Sequence, residues 1–147
     1  MDIIAIGKDS AEGRQRSIEP PDPLPEPLVQ AMSRVARDYN LPEDWMNTTA
    51  GLQWKTGLPP GFADRIHWRQ YGGLSLGLAD RHDLILVKLY AAVDSEGPSS
   101  VHYQDLLAFK PTHDELDAAT ISVRSQDTSP EFSRILDQVV EQAKVDV

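Results

Sequence analysis

The sequence predicts an α+β protein with a small mixed sheet, a β-hairpin at about residues 65–78 and helices in the C-terminal half. Two observations predict this class. Residues 65–71 and 74–78 alternate between apolar and polar side chains, and they flank Gly72 and Gly73, a dipeptide typical of a tight hairpin turn. After Asp80, apolar residues recur every three or four positions, which is the spacing of packed helices.

The N-terminal part has weaker patterns. Residues 3–6 are apolar and mostly β-branched, so they predict a short buried strand. Residues 7–24 are polar and then rich in proline, so we predict a flexible loop there. A helix with an apolar face should begin near Pro25 or Pro27, because proline is tolerated in the first helical turn.

Three helix starts are predicted from capping residues in the C-terminal half. Asp80 precedes an apolar run, residues 112–115 have the form of a capping box, and Ser129 precedes Pro130. The length of 147 residues suits one domain, which we place at residues 1–147.

Composition excludes several classes of protein. The net charge of −9 argues against a general DNA-binding surface, because duplex binding needs basic patches. There is no cysteine, so disulfide and thiolate chemistry are excluded. No apolar run reaches the roughly 18 residues of a membrane span, and the first residues lack a signal-peptide pattern. We therefore predict no membrane association and a cytoplasmic location.

Lys88 is the only charged residue between positions 84 and 93, in a segment that is apolar on every side of a helix. An ammonium group that leaves water must find a partner or lose its proton. Asp105, the single acid in the next apolar stretch, is the candidate partner. Two interpretations stay open: a phosphate-contacting lysine oriented by a carboxylate, or a structural ion pair between two helices.

Other candidate site residues are basic groups on the hairpin and one N-terminal acid. Arg65, His67 and Arg69 alternate on the first hairpin strand, where they would line an anion-binding groove for a cofactor or form a solvated face. Asp2, at the head of the predicted N-terminal strand, would be a Mg²⁺ ligand or an exposed terminal residue.

The order of these features resembles a known family. A Leu-Pro-x-x-Trp-Met-Asn stretch at residues 41–47 is followed by the hairpin, by the apolar helix with Lys88, and by Asp105. Over about residues 24–125 this order is similar to an uncharacterised bacterial branch of the nucleotidyltransferase-fold proteins, distantly like AbiEii-type toxins. The resemblance implies a nucleotidyltransferase-like fold and the transfer of a nucleoside monophosphate to RNA or protein.

The resemblance also implies roles for single residues. Asp2 would bind Mg²⁺ that carries a nucleoside triphosphate, Lys88 would contact phosphate, and Asp105 would orient Lys88. The family has a second metal-binding aspartate where this chain has Ile4, and its glycine motif would precede Met1. We therefore expect a catalytically incomplete protein, either a piece of a longer chain or a degenerate family member.

An alternative of a different class stays open. The chain would then be a non-catalytic interaction module or a toxin–antitoxin component. It would act through an open edge of its sheet, as a homodimer or with a partner protein, because unpaired strand edges invite pairing with another chain.

Overall fold

The computed structural model describes residues 3–9, 16–49 and 57–147. The chain divides into two compact units, Met1–Gly57 and Leu58–Val147. The nucleotidyltransferase-like domain expected over residues 1–147 stays a prediction.

The first unit begins with a two-stranded antiparallel ribbon. Strands β1 (Ile6–Asp9) and β2 (Arg16–Glu19) pair with Ile6 opposite Glu19. The strand predicted at residues 3–6 is wrong in position, because pairing starts at Ile6 and continues into the segment predicted as a loop, residues 7–24. Backbone hydrogen bonds between neighbouring segments can form such a ribbon without an apolar pattern, so side-chain alternation does not predict it.

Helix α1 (Glu26–Tyr39) follows, with Pro27 in its first turn as predicted. It ends at Asn40, whose backbone is left-handed with φ 51°, a conformation that asparagine tolerates better than most residues. The indole Nε1 of Trp45 donates to the carbonyl of Met32 at 3.2 Å, which ties the following turn back to the helix. Ala36 is the buried residue of this helix.

The second unit is mainly helical. A single helical turn and a hairpin come first, and four longer helices follow. In chain order the elements are α2 (Phe62–Arg65), β3 (His67–Tyr71), β4 (Leu74–Leu78), α3 (Arg81–Asp94), a 3₁₀ turn (Gly97–Ser99), α4 (Val101–Ala108), α5 (His113–Gln126) and α6 (Pro130–Asp146).

Helix α3 is the centre of the core. It packs against α4, α5 and α6, and most of its side chains are buried, as its nearly continuous apolar sequence predicts. Tyr90 of α3 meets Phe132 of α6 with ring centroids 5.3 Å apart. The fully buried large side chains include Ile85, Leu86, Leu89, Val93, Leu106, Leu116, Val123, Leu136 and Val139.

The three predicted helix starts are confirmed. The Asp80 carboxylate accepts from the backbone N–H of His82 at 2.8 Å, and the Ser129 hydroxyl accepts from that of Phe132 at 3.3 Å. At α5 the full capping box forms, with Thr112 and Glu115 each accepting from the other's backbone N–H. These bonds satisfy N–H groups that have no partner within the helix.

The predicted α+β class, the hairpin and the C-terminal helices are confirmed. The predicted small mixed sheet is wrong in detail: the described strands form two separate two-stranded antiparallel ribbons. Among the described residues, no helix combines the length and the apolar character needed to cross a membrane.

The capping box makes stability depend on pH. The guanidinium of Arg81 and the Thr112 N–H hold the pKa of Glu115 at about 2, below its ordinary value of 4.5. Below pH 4.5 the Glu115 carboxylate is protonated in the unfolded chain but stays ionised in the native protein. The free energy of unfolding therefore falls as pH drops from about 4.5 toward 2. We expect Arg81→Gln to weaken this acid-induced loss, as measured by urea unfolding at pH 6, 4 and 3. Arg134→Gln, an exposed change on α6, is the control, and an equal effect of both changes would contradict the assignment.

Candidate functional site

The hairpin of β3 and β4 is the most exposed element of the second unit. Its register pairs Tyr71 with Leu74 across the two-residue turn, Arg69 with Leu76, and His67 with Leu78. Gly72 begins the turn with φ 57°, the positive value that the first central position of a type II′ turn requires. The predicted tight turn at Gly72 and Gly73 is thus confirmed.

One side of this hairpin is apolar and open to solvent. Directly paired residues point to the same side of a ribbon, so three cross-strand pairs share one face. We call this surface the leucine face; it consists of His67, Arg69, Tyr71, Leu74, Leu76 and Leu78. Tyr71 is 56 % exposed and Leu74 53 %, and the other two leucines are also exposed. Large apolar side chains are therefore grouped where water reaches them.

The opposite side of the hairpin makes contacts within the ribbon, and Trp68 on that side is 37 % exposed. Trp68 pairs with Gly77, and a Cβ atom at Gly77 would lie only 3.0 Å from the Trp68 ring, so the ring lies close over the glycine backbone. The Ser75 hydroxyl donates to the Gln70 side chain at 2.6 Å, and Gln70 donates to the Gly72 carbonyl at 2.7 Å. These contacts stiffen the ribbon without using the leucine face.

An ion pair between the half-buried Arg65 and the buried Asp83 anchors the base of the hairpin. The Arg65 guanidinium donates from Nε to Asp83 Oδ2 at 3.0 Å and from Nη2 to Oδ1 at 2.5 Å. The Asp83 side chain is only 1 % exposed and lies in the first turn of α3, where the helix dipole favours a negative charge. The hydrogen bonds to Asp83 raise the pKa of Arg65. The pair fastens the segment before β3 to the helical core.

The predicted strand position of Arg65 is wrong. Arg65 is the last residue of α2, because a left-handed Gly61 starts a helical turn there, and β3 begins at His67. Arg65 is therefore turned toward Asp83, while His67 and Arg69 share the leucine face as the alternation predicted. The predicted groove of three basic residues does not form on one strand, and a cofactor-binding role for Arg65 or Arg69 stays a prediction.

A second polar contact joins the hairpin to α3. His67 Nε2 lies 3.2 Å from Asp80 Oδ2, next to the helix start that Asp80 caps. The pKa of Asp80 is lowered, chiefly by the N–H of His82 and then by His67. The hairpin is thus tied to the first turn of α3 at two points, Asp80 and Asp83.

The predicted pairing of Lys88 with Asp105 is confirmed. Lys88 Nζ donates to Asp105 Oδ2 at 2.7 Å, which joins α3 to α4. The Lys88 side chain is 20 % exposed and that of Asp105 46 %, so the pair lies at the rim of the core and in contact with water. The geometry fits a structural pair, and the predicted catalytic role of both residues stays a prediction.

The metal role of Asp2 also stays a prediction, because Asp2 lies outside the described residues. Within residues 3–9, 16–49 and 57–147, no three histidine, aspartate or glutamate residues come together as a group that could hold a metal ion.

Sequence reasoning missed two features of this site. The alternation of residues 74–78 predicted a strand with one apolar side, and such a side is normally packed on a core. Nothing in the pattern indicated that these leucines stay exposed. Asp83 was also missed, although an acid beside an apolar helical run is a signal for a buried carboxylate that needs a cation.

Comparisons with protein-family models, with curated proteins and with solved structures give no match to this chain. The nucleotidyltransferase resemblance therefore rests on the residue pattern alone.

The Arg65–Asp83 pair and an exposed arginine nearby allow a matched test. We expect Arg65→Gln to lower the free energy of unfolding by about 3 kcal/mol, because it leaves the Asp83 carboxylate buried without a charged partner. Arg69→Gln, an exposed change on β3, should shift it by less than about 0.5 kcal/mol. Urea unfolding followed by circular dichroism measures both values. Equal effects of the two changes would mean that the ion pair does not anchor the fold.

Proposed function

We propose that this protein is an interaction module that binds another protein chain through the leucine face. The supporting observation is the exposure of Tyr71 and three leucines on one side of a single hairpin. Exposed apolar side chains that occur singly are ordinary, but a contiguous group is typical of a binding surface. Full burial of an exposed leucine side chain contributes about 1.5–3 kcal/mol. These three leucines are 37 % to 53 % exposed, so a partner that covers them gains a part of that value from each.

The anchoring of the hairpin supports the same proposal. A two-stranded ribbon is marginally stable by itself in water. Here the Arg65–Asp83 pair and the His67–Asp80 contact hold its base, and the Trp68–Gly77 contact stiffens its other side. A surface that is ordered before binding loses less conformational entropy when a partner binds. The proposal places binding on the face of the hairpin, where the apolar area lies, and not on the strand edge that the sequence suggested.

A displayed library of random 16-residue peptides would test this proposal. We expect the whole chain to select ligands, and we expect Leu76→Ser or Leu74→Ser to weaken their binding at least tenfold, as measured by fluorescence anisotropy. Both leucines are already exposed, so the variants should fold, which circular dichroism would verify.

The matched control is Ile121→Ser, which changes an apolar side chain that is 75 % exposed on α5. It should leave binding unchanged. If no ligand is selected, or if Ile121→Ser and Leu76→Ser have the same effect, the leucine face is not the binding surface.

A nucleotidyltransferase activity is a second candidate, supported by the Lys88–Asp105 pairing at 2.7 Å that the resemblance implies. It would use Mg²⁺ and a nucleoside triphosphate, with RNA or protein as acceptor. This candidate predicts that ATP, GTP, CTP or UTP with Mg²⁺ raises the melting temperature, because a ligand that binds the native state stabilises it. The rise should vanish in Lys88→Met. No rise with any of the four nucleotides would argue against this candidate.

A further inference from the structure

We infer that the ligand of the leucine face is an acidic amphipathic segment of a partner protein. This inference rests on the proposed function and adds the chemistry of the partner. It follows from the charge of the hairpin, the size of the apolar patch and the position of Arg69.

The hairpin carries a positive charge, Arg69, in an acidic protein, whereas Arg65 before it is paired with Asp83 and His67 lies beside Asp80. No aspartate or glutamate occurs between Asp64 and Asp80, the acids that flank the hairpin, although the whole chain has 23 acidic residues, 14 basic ones and a net charge of −9. Arg69 lies in the middle of β3, directly opposite Leu76, so its charge stands beside the row of leucines. Complementary charge fixes the orientation of a partner and excludes wrong ones. A ligand that covers the leucines therefore gains from a carboxylate placed over Arg69.

A second copy of this chain fits the surface less well. Four apolar side chains, partly exposed, offer a few hundred Å² at most, which is far below the roughly 800 Å² that each partner buries in a standard interface. Two leucine faces packed together would also bring Arg69 near its own copy, and like charges that lie directly opposite each other are destabilising. A short segment needs less area and can supply the opposite charge.

The dimensions of the hairpin set the size of the ligand. A strand of five residues is about 17 Å long, which equals roughly 11 residues of α-helix. The row of Leu74, Leu76 and Leu78 runs along β4, with Arg69 to one side on β3. A helix of about three turns with leucines on one face and glutamates beside them would match both features.

Two synthetic 16-residue peptides test the inference. Both carry leucines at the same helical positions, and the remaining charged positions are glutamate in one and lysine in the other. At 0.15 M salt, the attraction or repulsion between charges further apart than about 8 Å is largely screened. The affinity for each peptide therefore depends mainly on the charges of the hairpin itself and less on the net charge of the chain. Fluorescence anisotropy should give at least tenfold tighter binding of the glutamate peptide to the wild-type chain.

Arg69 should account for this preference. Arg69→Gln should weaken binding of the glutamate peptide roughly fivefold, and Arg69→Glu should remove or reverse the preference between the peptides. Arg134→Gln on α6 is the matched control and should change neither affinity. Leu74→Ser should abolish binding of the glutamate peptide, which places the ligand on the leucine face.

Other results would overturn the inference in distinguishable ways. If ligands from the peptide library depend on Leu76 but carry no net negative charge, or if both synthetic peptides bind equally, the surface is a binding site without this charge preference. If sedimentation shows that the chain self-associates without peptide and that Leu74→Ser prevents it, the occupant is a second copy. If no ligand depends on the leucine face, the proposed function itself fails.

Discussion

The burial of helix α3 is the constraint on which the second unit depends. Helices α4, α5 and α6 pack against it, and among the described helices it contributes the most side chains to the core. A helix enclosed in this way cannot shift without disturbing the packing of its neighbours. Its first turn is therefore a fixed point, and the hairpin is attached there through Asp80 and Asp83. The position of the leucine face follows from the position of α3.

Several lysine and arginine pairs join elements of this unit, and the pairs of Asp83 and Asp105 differ in environment. Asp83 is almost fully buried and depends on Arg65 for its charge partner, whereas Asp105 remains in contact with water beside Lys88. Removing Arg65 leaves Asp83 as a buried charge without compensation, whereas removing Lys88 leaves Asp105 as a hydrated carboxylate. Lys88 is conspicuous in the sequence because it interrupts an apolar run. The more deeply buried charge is Asp83, three residues after the helix cap at Asp80.

The two sides of the hairpin differ in what their side chains contact. On one side Trp68, itself 37 % exposed, packs over Gly77, and the other side presents Tyr71 and three leucines to solvent. An exposed apolar strand face is a liability for aggregation unless something covers it. That liability is the physical reason for proposing a partner, and Arg69 among the leucines is the reason for proposing an acidic one.

The sequence by itself determined the α+β class, the helix starts at Asp80, Thr112 and Ser129, the turn at Gly72 and the pairing of Lys88 with Asp105. These features follow from local hydrogen bonding, backbone preference and the cost of burying a charge, all of which act over a few residues or require one partner. The tertiary structure decided that β1 pairs with β2, that Arg65 leaves the strand for Asp83, and that three leucines stay exposed. Alternation gives a strand two different faces, but only the packing of the whole unit decides whether a core covers the apolar one.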